Sequence, residues 1–132
     1  MKSCLNSIVV PFADDDELRL AVLNACFHMR DRLGYFVSTW GNMSVRLEEG
    51  LLVTPSRANY EDLGPQDLVV VSWQGVRLSG ERVPTSETEL HRQIMLIRPD
   101  IAVLIHHHAP WSSVMACAQR TIPVLVDDMA EV

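Results

Sequence analysis

Excess positive charge is missing from this sequence: eleven Lys and Arg stand against seventeen Asp and Glu, a formal net charge of −6. A nucleic-acid surface is built on a basic patch, so that class of partner is excluded. A small anionic substrate is not, because a local site can be cationic on an acidic protein. Cysteine is scarce too. Cys4, Cys26 and Cys117 are odd in number and far apart, with no CxxC, which excludes a zinc knuckle or disulfide framework and predicts reduced thiols in a cytoplasmic protein. No apolar run approaches the length of a membrane span. The opening "MKSCLNSIVVPFADDD" has one Lys and a short apolar run broken by Asn6 and Pro11, which does not make a signal peptide. Repeats, low-complexity tracts and linkers are also lacking. What is present is an ordinary globular composition, 48% hydrophobic and 21% charged over 132 residues, enough for a single domain over 1–132 with a real core.

Hydrophobic spacing divides the chain. "DDDELRLAVLNACFHMRDRLG" predicts a helix, with Asp14–Asp16 as the N-cap region, Leu18, Val22, Cys26, Met29 and Leu33 on one face, and Gly34 as the stop. His28 within it is expected to be structural. The period then becomes extended. "MSVRL" and "LLVT" flank Glu48-Glu49-Gly50, and "QDLVVVSW" and "VRLSG" flank Gln74-Gly75, which predicts two hairpins. "PSRANYEDLGP" between them is loop with at most a helical turn. A helix from about Ser86 to Arg98, the strand "IAVLI", a helix in "WSSVMACAQR" and a strand in "IPVLVDD" complete one α/β domain.

The run "IAVLIHHHAP" carries the chemistry. If the strand continues through His108, side-chain alternation puts His106 and His108 on one face and His107 on the other. Two imidazoles so placed can reach one tetrahedral zinc ion, although such a site needs three or four protein ligands. Strand-end histidines that are merely solvated or hydrogen-bonded fit the same pattern. Ahead of the helix, "VPTSETELH" offers a capping box from Ser86 to Glu89, a dipole-complementing Glu87 at the first helical position, and a Glu87–His91 pair one turn apart. Hydroxyls and free N–H groups at Thr85 and Ser86 also make a natural phosphate cradle beside Glu87. "TWGNMS", with Gly41 and Asn42, and "TPSR", with Ser56 and Arg57, are two further cradles of common turn chemistry.

The order of these pieces is more specific than any of them. "GNMSV", "LLVTPSRANYEDLGPQDLVVV", "ERVPTSETELHRQI", "RPDIAVLIHHHAPWSSVMA" and "IPVLVDDMAEV" follow one another over about residues 15 to 132. This ordered set resembles the class II aldolase/adducin family, which includes sugar-phosphate aldolases and a pentulose-phosphate 4-epimerase.

The resemblance implies a three-layer α/β/α sandwich around a mostly antiparallel sheet, assembled as a homotetramer. It implies a zinc-dependent aldehyde-lyase acting on a sugar phosphate or related hydroxy-ketone through a metal-stabilised enediolate. By position, His106 and His108 match two zinc ligands, Glu87 the catalytic acid/base, and Asn42, Ser56, Thr85 and Ser86 the phosphate-binding groups, with His107 a bystander. Gly41 and Arg57 stand as substrate-contact candidates. Arg57 departs from the glycine that the family's sugar-phosphate aldolases often have there, so it can pair with a phosphate or with a substrate carboxylate. The family's third zinc histidine lies beyond the matched strand, which implies that the chain is an N-terminal part of the domain with an incomplete zinc site. Epimerisation or dehydration, and a non-catalytic adducin-like assembly domain, are the alternatives. A cupin-like oxygenase would want a carboxylate ligand soon after the histidines, and none appears before Asp127.

Overall fold

The aspartate run starts the first helix as its spacing predicts. In the computed structural model, which describes residues 11–123, α1 spans Asp16–Asp31 and the Asp15 carboxylate caps it by accepting from the Leu18 N–H at 2.8 Å. Both expected hairpins form. Strands β1 (Asn42–Arg46) and β2 (Gly50–Val53) make the first, β3 (Val69–Ser72) and β4 (Arg77–Ser79) the second. The intervening loop holds two short 3₁₀ turns, Tyr60–Asp62 and Pro65–Asp67. Helix α2 (Thr88–Ile97), strand β5 (Val103–His106) and helix α3 (Pro110–Cys117) follow. Pro110 at the first turn of α3 loses no helical hydrogen bond. The strand expected in "IPVLVDD" lies largely outside the described residues.

All pairings within the sheet, ordered β4-β3-β2-β1-β5, are antiparallel. Strand alternation gives it two apolar faces. Met43, Val45, Leu52 and Val70 pack with Val22, Leu23 and Cys26 of α1, while Leu51, Val53, Val69 and Val71 pack with Met95 of α2. Helices therefore cover opposite faces, and the layers are α/β/α. Arg19 fastens the α1 layer: its guanidinium donates to the Pro65 and Leu68 carbonyls, each at 3.1 Å, and pairs with Asp14.

Two expectations fail locally. The strand bearing the histidines stops at His106 rather than His108. Its partner β1 begins at Asn42, opposite His106, and Gly41 at φ +93 turns the chain away, so no backbone remains for His107 and His108 to pair with. The capping box also does not form. Glu87 occupies the N-cap, one position earlier than expected, and makes no side-chain cap. Instead the Thr85 carbonyl accepts from both the N–H and the hydroxyl of Thr88, and Glu89 is held by the Arg92 fork and Gln93.

Candidate active site

At the ends of β1 and β2, beside the start of α2, three loops meet around a half-open cleft of about 790 Å³. Its wall includes Gly41, Asn42, Ser56, Arg57, Thr85, Ser86, Glu87 and His108. Every residue that the sequence singled out for the site is here except His106, which reaches it through Glu87.

Backbone pairing brings the two hydroxyl-bearing loops together. Pro55 and Pro84 form an isolated antiparallel bridge, with the Ser56 N–H on the Val83 carbonyl at 2.9 Å and the Thr85 N–H on the Thr54 carbonyl at 3.0 Å. Two prolines can sit opposite each other because their neighbours supply the donors. The third loop is fixed by Gly41. Any side chain there would overlap the buried Phe36 ring, and the Gly41 carbonyl accepts from the Tyr60 hydroxyl at 2.9 Å. Burial pushes the Tyr60 phenol up, so it stays a donor.

Glu87 is the hub. Its Oε2 accepts from the Asn42 amide at 3.0 Å and faces His106 Nδ1 at 3.1 Å. Asn42, expected to contact phosphate, thus has its amide nitrogen engaged by the carboxylate. A carboxylate facing Nδ1 favours the tautomer with hydrogen on that nitrogen, leaving Nε2 as a lone-pair donor. That Nε2 is buried and lacks a hydrogen-bond partner among the described residues. The His106 and His108 rings meet edge to face at 5.0 Å, whereas His107 turns aside to stack on Tyr35 at 4.6 Å. The pairing expected from strand alternation therefore survives the early end of the strand. The donor set suits a divalent transition metal, although among the described residues no three His, Cys, Asp or Glu side chains are grouped to hold one.

His91 does not pair with Glu87 through side chains; only its backbone N–H reaches the Glu87 carbonyl. Its ring is fully buried, with Nδ1 2.6 Å from Ser44 Oγ. Burial pushes its pKa down to about 4, with the nearby Glu87 carboxylate opposing the depression. Sequence reasoning also missed Trp40, which lines the cleft and lies 5.5 Å from the His108 ring. Its place immediately before Gly41 was the available signal.

Comparison with known proteins gives the same family by a separate route. The family model for the class II aldolase and adducin N-terminal domain matches residues 21–132. The 5-methylthioribulose-1-phosphate/5-deoxyribulose-1-phosphate aldolase of Rhodospirillum rubrum is 45% identical over 69% of this chain and 41% of its own length. The L-fuculose phosphate aldolase of Escherichia coli is 32% identical over 83% of this chain and 50% of its own. Among solved structures, an L-fuculose 1-phosphate aldolase superposes with a TM-score of 0.74 at 25% identity, covering 90% of this chain and 55% of that one. The chain thus spans about half the length of these relatives.

Proposed function

The chain belongs to the class II aldolase and adducin N-terminal domain family, and on that premise we propose that it supplies catalytic groups of a zinc-dependent aldehyde-lyase that cleaves a sugar phosphate or related hydroxy-ketone by way of an enediolate. The observation that carries this reading is the meeting of Glu87, the His106–His108 pair and three hydroxyl- or amide-bearing loops around one cleft. The names of the three relatives, all sugar-phosphate aldolases, support the substrate class.

In this reading His106 and His108 hold the metal through ring nitrogens, with Glu87 steadying His106 from behind. When bound, the ion supplies Lewis-acid stabilisation of negative charge on the substrate oxygens. Ser56, Thr85 and Ser86 bind the phosphate, with Asn42 beside them, and that remote contact orients the reacting end toward Glu87. Glu87 holds two donors on Oε2, and its Oε1 accepts no hydrogen bond among the described residues, so that oxygen is the one placed to move a proton at the substrate. The homotetrameric assembly implied by the resemblance belongs to the same reading, and sedimentation velocity tests it.

Zinc content and steady-state kinetics on the full-length protein test the chemistry. His106→Ala is expected to lose metal and turnover together. Glu87→Gln keeps an oxygen for His106 Nδ1 and should retain metal while turnover falls about 10²–10⁴-fold. Full turnover in Glu87→Gln, or unchanged zinc content in His106→Ala, would sink the reading.

A further inference from the structure

The turn after β2 holds an arginine in a conformation that favours glycine. Arg57 sits at φ +54, and the Ser56 before it has no such φ. In a turn, which Ser56 and Arg57 form, successive N–H groups can face a common concavity that suits an anion. The Ser56 N–H is taken by Val83, but those of Arg57 and Ala58 donate to no group among the described residues.

The side chain is equally unoccupied. Arg19, Arg30, Arg46, Arg77, Arg82, Arg92 and Arg98 each hold a carboxylate or carbonyl, and Arg32 and Arg120, which hold neither among the described residues, lie outside the cleft. Exposed Arg57 holds neither among the described residues, yet it lines the cleft. The other carboxylate or guanidinium on that wall is Glu87, whose Oε2 is already engaged by Asn42 and His106. What sets Arg57 apart is that its unpaired guanidinium and its positive φ coincide on the wall of the cleft.

We propose that Arg57 is the specificity-determining residue of the anion subsite. Its planar fork clamps a terminal oxyanion of the substrate beside Ser56, so that charge is read by a side chain as well as by backbone N–H groups. The proposal rests on the cleft being the substrate site, as argued above. A phosphate monoester and a carboxylate share the required chemistry.

Amide chemical-shift titrations of the chain with inorganic phosphate and, separately, with acetate at low ionic strength test this. Arg57→Gln is expected to weaken binding of the preferred anion about tenfold, the low end for a charge-assisted contact at an exposed site. Arg57→Lys should recover only part of that loss, because a point charge lacks the fork. Arg57→Gly suits the backbone and should bind as weakly as Arg57→Gln, which separates lost charge from misfolding. Preference for phosphate identifies an ester substrate and preference for acetate a carboxylate, and either supports the clamp. If Arg57→Gln and Arg57→Gly bind within twofold of the native chain while Ser86→Ala loses phosphate, the clamp falls and the cleft stands. A native chain that binds neither anion overturns both.

Discussion

His91 shows how far a single residue can depart from what its neighbours in sequence suggest. Spacing alone offered it to Glu87, yet it lies wholly inside, hydrogen-bonded to Ser44 across the layer boundary. Local spacing records which face of a helix a residue shares; it does not record what covers that face. The meeting of the His106 and His108 rings was legible for the opposite reason, because it joins near neighbours in sequence and holds even though the strand ends at His106. Burial makes His91 a stability switch. Its native pKa is pushed down to about 4, below the ordinary value of 6.5. Between those values the unfolded chain takes up a proton that the native ring refuses, so stability is complete above pH 6.5 and falls as pH drops toward 4. The loss across the full window is about 3 kcal/mol, on the usual conversion of pKa into free energy. Glu89 and Asp100, both pushed down to about 2 chiefly by arginine hydrogen bonds, act at lower pH, beneath their ordinary 4.5 and 3.8. Urea unfolding between pH 7 and 5 therefore isolates the histidine. A flat profile, or an unchanged slope in His91→Gln, contradicts the assignment.

Among the elements, β1 and α2 form the pair that positions the candidate site. Asn42, Ser44 and Arg46 alternate along one face of β1 and meet, in order, the Glu87 carboxylate, the His91 ring and the Met95 carbonyl. Two strand residues advance about 6.8 Å and four helical residues about 6 Å, so the three rungs stay in register. "NMSVR" announces the alternation, but not that its polar side lies under a helix. Such inward polarity is paid for by hydrogen bonds and becomes visible only when α2 is in place. The turn into β2, in the same hairpin, hides a similar point. Gly50 reads as a turn residue, yet its φ is not in the positive range, and a Cβ there would overlap the Val71 carbonyl and the Ser72 backbone of β3. Close approach of β2 and β3, rather than turn freedom, requires the glycine. Gly50→Ala is expected to cost about 3 kcal/mol through forced strand separation, measured by urea unfolding; a loss below about 0.5 kcal/mol, the size of an ordinary surface change, would contradict it.

At the scale of the molecule, what the sequence could not tell was where its motifs meet. Their types and order pointed to the family, because each loop signature is local. Their convergence depends on the Pro55–Pro84 bridge and on both helices docking to opposite sheet faces, which are long-range facts. The same arrangement couples ligand binding to the whole fold. A phosphate held by Ser56, Thr85 and Ser86 would join the loop after β2 to the segment that opens α2, and these are already linked by two backbone hydrogen bonds. An unfolded chain has no such arrangement, so phosphate at 100 times its Kd should stabilise the native state by about 2.7 kcal/mol. For a chain of this size that raises Tm by about 10 °C. Thermal melts in phosphate and in chloride at matched ionic strength measure the difference. The Ser86→Ala chain, lacking one hydroxyl, should show a smaller rise at the same phosphate concentration. Equal Tm in the two salts would mean that the loops meet without forming a phosphate site, and the substrate would then have to be sought among uncharged hydroxy-ketones.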